Sequence, residues 1–383
     1  MFSEHIRYVG VNDHDIDLFE GQYDVPNGMA YNSYVIMDEK ICVMDSVDAR
    51  FTQAWFDQLD AACDGRTPDY LVVQHMEPDH SGSILRFARQ YPQAVLVASA
   101  KAFAMMKQFF GTDFADRRIV VKEGDTLPLG QHVLQFFTAP MVHWPEVIMT
   151  YEQQEKIFFS ADAFGKFGAL DVEEDWACEA RRYYFGIVGK YGAQVQHLLK
   201  KVAPLDIRAI SPLHGPVLTE NLSYYFGLYD TWSAYRPESE GVVIAYTSIY
   251  GHTRVAVEKL ADALRTRGVK VVVNDLARCD MFEAVEDAFR YDRLVLATTT
   301  YNNGVFPFMQ TFLHHLVERN YQSRTVGFIE NGSWAPNAVK LMKSILEPCK
   351  NLTLLPCEVR LLSALQTDSQ AQLDALCDAL AQV

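Results

Sequence analysis

The 383-residue sequence predicts an α/β protein of two units, the second a doubly wound parallel sheet of five strands. Three observations lead there. Upstream of residue 231, short β-branched and aromatic runs alternate with helical stretches. Downstream of residue 241 the same alternation becomes regular, each strand pattern followed by a helix pattern. Between them, T-W-S-A-Y-R-P-E-S-E-G at 231–241 replaces periodicity with Pro and charge, which puts the expected domains at 1–240 and 241–383.

In the first unit, strand-like runs fall at 34–36, 41–44, 70–74, 95–98, 119–122, 133–138 and 157–160. Helical spacing of apolar residues marks 52–62, 81–90, 100–110 and 181–200. In the second unit the strands are expected at 242–246, 270–274, 293–298, 325–329 and 352–357. The helices between and after them are expected at 252–267, 281–290, 308–319, 337–346 and 370–381. The sequence has no internal repeat and no low-complexity segment.

Composition narrows the function classes. A hydrophobic fraction of 49% with 22% charged residues supplies a sizeable core. The net charge of −15, with no basic run of five or more residues, argues against nucleic acid and against an anionic membrane surface. Small-molecule substrates and a locally complementary protein partner remain compatible with it. The seven cysteines are scattered without a C-x-x-C pair, so neither a disulfide framework nor a cysteine-held metal cluster is expected. The N-terminus lacks a charged-then-apolar signal pattern, and no apolar run approaches the ~18 residues of a membrane helix. A cytoplasmic protein is expected.

The densest chemistry lies at 75–80, H-M-E-P-D-H, which places His75, Glu77, Asp79 and His80 in one turn. A solvated turn leading into the helix at 81–90 accounts for Asp79 or Ser81 near an N-cap. It leaves His75, Glu77 and His80 unexplained, whereas imidazole and carboxylate together suit a first-row transition metal. Three distant residues follow strand-like or apolar runs: His143 in M-V-H-W-P-E, Asp162 in F-F-S-A-D-A-F-G and His214 in S-P-L-H-G-P. In an α/β fold such loops converge at one sheet edge.

The second unit opens with a strand feeding T-S-I-Y-G-H-T at 247–253 and then a helix. Backbone N–H groups and the helix dipole at such a junction make an anion site, and Ser248 and Thr253 add hydroxyls. With no G-x-G-x-x-G, no Walker loop and no Lys or Arg in the turn, the expected cargo is a phosphate monoester. T-T-T-Y-N-N-G at 298–304 and E-N-G-S-W-A at 330–335 follow the third and fourth strands of this unit, on the ligand edge of a doubly wound sheet.

The order of metal-grade residues resembles the metallo-β-lactamase fold, whose turn reads H-x-H-x-D-H. Glu77 stands where that pattern has its second His, and this form, H-x-E-x-D-H, is the one of flavodiiron proteins. P-N-G-M-A-Y-N-S-Y at 26–34, M-E-P-D-H-S-G-S at 76–83 and H-W-P-E at 143–146 resemble the same family. The loop at 247–253 resembles the flavodoxin phosphate loop S/T-x-T-G-x-T, with Tyr250 in place of the middle Thr.

The resemblance implies a metallo-β-lactamase-like αββα sandwich followed by a flavodoxin-like five-stranded sheet. It implies two irons, one on His75, Glu77 and His143, the other on Asp79, His80 and His214. Asp162 and a solvent-derived oxygen bridge them. FMN is implied on Thr247, Ser248, Ile249, Tyr250, Gly251, His252 and Thr253, on Thr300, Tyr301, Asn302, Asn303 and Gly304, and on Asn331, Gly332, Ser333, Trp334 and Ala335. Tyr301 and Trp334 are candidates to flank its ring; Trp144, Tyr184 and Tyr183 are candidate residues of the gas pocket.

Four imidazoles with three carboxylates form a harder set than an all-His turn, favouring iron over zinc. Two ferrous ions and a reduced flavin hold four electrons between them. Four match dioxygen going to two waters, and two match a pair of nitric oxide molecules going to nitrous oxide. The expected function is therefore scavenging reduction of dioxygen, nitric oxide or both, with electrons passing from an external donor through FMN to the irons. The sequence shows no C-x-x-C rubredoxin module, so the expected donor is a separate rubredoxin, or a reduced deazaflavin cofactor. The resemblance also implies a head-to-tail homodimer or a dimer of dimers. Two rival readings are a zinc-dependent hydrolase of the metallo-β-lactamase fold with a flavodoxin-like module, and a pure flavin electron carrier.

Overall fold

Strands buried on both faces build the first unit. In the computed structural model, which describes residues 3–382, a six-stranded sheet runs Ile6–Tyr8, Tyr34–Ile36, Cys42–Met44, Tyr70–Val72, Val95–Ala98, Arg118–Val120. A five-stranded sheet runs Thr126–Pro128, Val133–Thr138, Ile148–Glu152, Ile157–Phe159, Ala209–Ser211. Ile36, Met44, Val72 and Val97 of one sheet share a core with Leu134, Phe136, Ile148 and Phe159 of the other, so the sheets pack face to face. The alternate residues Val35, Val43, Leu71, Phe137, Met149 and Phe158 are buried too, which requires cover on the outer faces. Helices supply it: Thr52–Ala62 buries Trp55, Phe56 and Leu59, and Ala100–Phe110 buries Ala102, Phe103 and Met106. The result is an αββα sandwich.

The second unit has strand order Val271–Asp275, Ser239–Tyr246, Tyr291–Tyr301, Thr325–Asn331, all parallel, with helices between consecutive strands. The first strand of this unit, Ser239–Tyr246, thus lies inside the sheet, which is the flavodoxin-like order. The fifth position is occupied by two short pieces, Thr353–Leu354 and Val359–Leu361, not by one strand over 352–357. Pro356 lies between them and cannot donate to the ladder.

Two helices also differ from expectation. The stretch 81–90 is split into Pro78–Ser81 and Ile84–Gln90 around Gly82 and Ser83. A Cβ on Gly82 would lie 2.6 Å from the Ala49 amide, so the turn is pressed against neighbouring backbone. The stretch 181–200 is Trp176–Tyr183, a π-turn at Tyr184–Val188, a 3₁₀ turn at Gly189–Tyr191 and Gly192–Val202, with Gly186, Gly189 and Gly192 at the irregular region.

By contacts the chain divides into Met1–Tyr184 with Ala193–Asp230, and Phe185–Gly192 with Thr231–Val383. This divide precedes the expected 240/241 because residues after 230 bond within the second unit. Trp232 Nε1–H donates to Glu238 (2.8 Å), the Arg324 guanidinium donates to the Tyr235 carbonyl (2.7 Å), and the Tyr235 hydroxyl donates to the Gly189 carbonyl (2.7 Å). Among the described residues no helix is long and apolar enough to cross a membrane.

Candidate metal centre and phosphate loop

Loops from both sheets of the first unit carry the seven ligand-grade residues. His75 and Glu77 follow Tyr70–Val72; Asp79 and His80 lie on Pro78–Ser81, whose Pro sits at the first helical turn. His143 follows Val133–Thr138, Asp162 follows Ile157–Phe159 and His214 follows Ala209–Ser211. Short polar bonds fix these loops. Ser46 Oγ donates to the His80 carbonyl (2.6 Å) and Ser81 Oγ to the Met76 carbonyl (2.8 Å). Asn32 Nδ2 donates to the carbonyls of Pro212 (2.8 Å) and Gly215 (2.7 Å), on either side of His214.

The seven residues form two adjoining sets. In one, Glu77 Oε2 lies 3.2 Å from His75 Nε2 and 3.1 Å from His143 Nε2, and Asp162 Oδ2 lies 3.3 and 2.9 Å from the same nitrogens. In the other, Asp79 Oδ2 lies 3.3 Å from both His80 Nε2 and His214 Nε2, which are 3.0 Å apart. Asp162 Oδ1 faces this second set, 3.4 Å from His80 Nε2 and 3.9 Å from His214 Nε2. One carboxylate therefore addresses both sets, one oxygen each.

Groups behind the imidazoles set their tautomers. His75 Nδ1–H donates to Glu146 Oε1 (2.8 Å), and His214 Nδ1–H donates to the Ala30 carbonyl (2.8 Å). Both therefore turn a bare Nε2 inward, the arrangement of a metal-binding imidazole with its orienting partner. Glu146 belongs to H-W-P-E, yet nothing in its spacing distinguishes it from an ordinary loop acid. Trp144 sets its ring edge-on to His75, 5.3 Å between centroids. Tyr183 lies 5.5 Å from the His214 ring with its hydroxyl buried; Tyr184 instead packs against Tyr229. Of the two pocket candidates among the tyrosines, Tyr183 is thus the one against the cluster.

The electrostatics are those of a site short of positive charge. Burial works against charge on His75 and His143, but Asp162 and Glu77 outweigh it; His75 is raised well above its usual value and His143 to about 9. Burial likewise opposes charge on Glu77 and Asp162, yet the facing imidazoles hold both carboxylates below the usual range. Burial pushes Asp79 up to about 7 and, with His80 beside it, His214 down to about 4. Both Asp79 oxygens and Asp162 Oδ1 are buried without a hydrogen-bond donor among the described residues. Apart from the 3.9 Å between His214 Nε2 and Asp162 Oδ1, donor separations of 2.9–3.4 Å in these sets suit ligands shared by one ion with bonds of about 2.1 Å. The donor set fits two hard or borderline divalent cations.

In the second unit the three expected loops meet around one cavity. Ser248, Ile249, Tyr250, His252 and Thr253 line it with Thr300, Tyr301, Asn302 and Asn303, and with Asn331, Gly332, Ser333 and Trp334. Thr247, Gly251, Gly304 and Ala335 are not on its wall. Thr247 is buried and its hydroxyl bonds Thr298 (2.6 Å), while Gly251 adopts φ +93° at the N-cap of His252–Thr266. Thr299 and Ser363 line the cavity as well. Ser363 escaped prediction because it follows the misplaced fifth strand. Ser248 Oγ accepts from the Gly251 (3.1 Å) and Arg254 (3.3 Å) amides, which closes the turn. Tyr250 and Trp334, 92% and 82% exposed, stand at the mouth. A helix N-terminus under neutral donors with two free aromatic faces is built for a phosphate and a flat ring.

Comparison with known proteins follows the same division. Residues 29–215 match the family described as ODP family beta lactamase, and residues 244–373 match Flavodoxin. A Synechocystis protein named diflavin flavoprotein A 1 is 33% identical over 292 residues, 74% of this chain and 51% of that protein. The anaerobic nitric oxide reductase flavorubredoxin of Salmonella arizonae is 27% identical over 91% of this chain and 75% of its own. In structure, the rubredoxin oxygen:oxidoreductase of Desulfovibrio gigas superposes with a TM-score of 0.93 at 23% identity, covering 100% of this chain and 97% of that one. The flavodiiron protein of Giardia intestinalis gives 0.88 at 22%, covering 99% and 95%.

A beta-lactamase-like unit with a buried His–carboxylate cluster, followed by a flavodoxin unit with a phosphate loop, defines a two-domain metalloflavoprotein class. The chain carries an ODP-type beta-lactamase domain followed by a flavodoxin domain, and over nearly its whole length it has the fold of the flavodiiron proteins. It spans about half the length of the diflavin relatives that it matches.

Proposed function

We propose that this chain is a flavodiiron reductase that scavenges dioxygen, nitric oxide or both. In this reading the first unit, expected at 1–240, is the diiron domain and the second, expected at 241–383, the FMN domain. His75, Glu77 and His143 hold one iron and Asp79, His80 and His214 the other, with Asp162 shared. The observation that carries it is the placement of Asp162, whose two oxygens face two separate donor sets. When bound, FMN and the iron pair supply the redox chemistry, four electrons in their reduced forms.

The chain's own residues do the rest. Glu146 and the Ala30 carbonyl hold His75 and His214 with Nε2 inward. Trp144 and Tyr183 wall the cluster and keep it dry, which strengthens every charge interaction inside. The helix at His252 holds the flavin phosphate through backbone N–H groups, while Tyr250, Tyr301 and Trp334 flank the ring.

Electrons come from an external donor in this proposal, a small rubredoxin or a reduced deazaflavin. The Salmonella and Desulfovibrio proteins carry rubredoxin in their names, which favours the first. A cytoplasmic head-to-tail homodimer, or a dimer of such dimers, completes the proposal; full turnover by a strict monomer would refute that part.

Metal analysis with oxygen- and nitric-oxide-electrode turnover from one common donor tests the function. Two irons per chain, bound FMN and consumption of at least one gas are expected. Two zincs and no gas consumption would overturn it in favour of a hydrolase.

A further inference from the structure

At the other side chains of the first unit, His5, His132 and Glu155 present ligand atoms within 4.8 Å of one another. Each comes from a different backbone segment. His5 precedes Ile6–Tyr8, and its carbonyl accepts from the Met37 amide (2.7 Å). His132 lies in the turn between Thr126–Pro128 and Val133–Thr138, closed by the Leu129 amide on its carbonyl (2.8 Å). Glu155 lies in the turn between Ile148–Glu152 and Ile157–Phe159, its amide held by Glu152 Oε2 (2.6 Å).

We propose that His5, His132 and Glu155 bind one divalent cation of the zinc class, separate from the proposed diiron centre. The decisive side chain is His132, which is buried. Asp38 Oδ2 accepts both its backbone N–H (2.7 Å) and its Nδ1–H (2.8 Å). The turn is shaped around that carboxylate: a Cβ on Gly130, at φ +140°, would lie 2.4 Å from Asp38 Oδ1. A carboxylate only accepts, so Asp38 fixes a proton on Nδ1 and turns Nε2 toward Glu155, where it can serve as a ligand atom. This is the same device that orients His75 through Glu146.

His5 faces the same carboxylate. His132 Nε2 is 3.4 Å from Glu155 Oε1, and His5 Nδ1 is 3.3 Å from the same oxygen. These separations exceed the usual N–H···O range of about 2.7–3.2 Å. They match the edge of a tetrahedron with bonds of about 2.1 Å, which is about 3.4 Å. Two imidazoles and one carboxylate with an open fourth position suit zinc or its neighbours, and suit calcium or magnesium poorly. The His5 side chain is 56% exposed and Glu155 24%, so an ion and its water reach the site from solvent. Bound there, the ion ties the N-terminal strand of the six-stranded sheet to two turns of the five-stranded one.

The test uses the iron-loaded, full-length protein titrated with zinc chloride at neutral pH against a chromophoric zinc indicator. Wild type is expected to take up one zinc per chain with no release of iron. His5→Ala and Glu155→Gln should each weaken that uptake at least tenfold while iron content, gas turnover and far-UV circular dichroism stay unchanged. Asp38→Asn should weaken it about 10- to 100-fold through His132. The proposal is overturned by no uptake, by uptake only with iron release, or by equal affinity in wild type, His5→Ala and Glu155→Gln. Because zinc is counted by its dependence on His5 and Glu155, these outcomes are readable whichever metal fills the buried centre.

Discussion

Replacing Glu146 by Gln keeps the shape of the side chain behind His75 and removes its charge. Glu146 Oε1 accepts from His75 Nδ1–H (2.8 Å) and from the Met76 amide (2.9 Å), while Oε2 is buried with no donor among the described residues. Burial opposes the charge on Glu146, but the His75 bond outweighs it and holds the carboxyl below its usual value, so it is ionised at neutral pH. A charge-assisted bond is roughly twice as strong as a neutral one, and losing such an orienting partner typically costs 10- to 100-fold in metal affinity. That range corresponds to about 1.4–2.8 kcal/mol. The amide oxygen of Gln still accepts from Met76, and the Ser99 hydroxyl still donates to the backbone carbonyl at 146 (2.8 Å), so the folding cost should stay within about 1 kcal/mol. The assay is iron retained per chain at fixed concentrations of a competing chelator, with the thermal midpoint of the chelated protein as control. Retention within twofold of wild type at an unchanged midpoint would refute the role given to Glu146.

Three further outcomes follow from the same geometry. His80→Asn should abolish gas reduction, since His80 Nε2 faces Asp79, Asp162 and His214 together, while flavin content and flavin reduction by a donor stay intact; retained gas turnover would point to a pure carrier. Trp334→Ala removes an exposed ring from the cavity mouth and should weaken FMN about 2- to 12-fold, equivalent to about 0.5–1.5 kcal/mol, measured by quenching of flavin fluorescence. Glu123 accepts from Lys201 (2.7 Å) and from Thr138, bonds that outweigh partial burial and hold its carboxyl below the usual range. Its stabilisation is present above the unfolded value near 4.3 and lost as pH falls through the lower folded value. Glu123→Gln should therefore lower the thermal midpoint at pH 7 by a few degrees at most, given that the side chain is 45% exposed, and the difference should vanish near pH 2. A difference that persists undiminished in acid would contradict this account.

Much of the fold was legible where periodicity is long and ends are marked. Thr52–Ala62 and Ala100–Phe110 fall at the expected residues, the second closed by Gly111 at φ +75°. Strands of three residues, such as Ile6–Tyr8 and Ala209–Ser211, carry too little pattern to separate from loop. They exist because the neighbouring strand and the facing sheet bury them. Leu222–Ser233 went unseen because its aromatic residues do not repeat on one face strongly enough to mark a helix. At the metal centre, the crowded turn at 75–80 drew attention by composition alone, and His143, Asp162 and His214 by their position after strand-like or apolar runs. Glu146 and Glu20 come near the cluster only in space. Glu20, for example, is raised to about 7 with Glu77 as a contributing cause, a neighbour 57 positions away that no local pattern reveals.

The charge balance of the buried cluster argues most directly for cations. With neutral imidazoles, Glu77, Asp79 and Asp162 carry three negative charges inside the protein, where uncompensated charge costs several kcal/mol each. In the metal-free cluster protons take the place of cations, since, against burial, the facing carboxylates raise His75, His80 and His143. His214 resists protonation, brought down to about 4 by burial and by His80, and a second proton there would set two imidazoliums 3.0 Å apart. Two divalent ions bring four positive charges to the same donors and leave every imidazole neutral. A His at position 77 would have left only two negative charges against those four. Glu77 therefore lowers the surplus positive charge of the loaded site by one unit, and an anionic donor set stabilises the higher oxidation states of a metal. The one residue that departs from the all-His turn thus moves the same fold from a site suited to polarising water toward one suited to exchanging electrons.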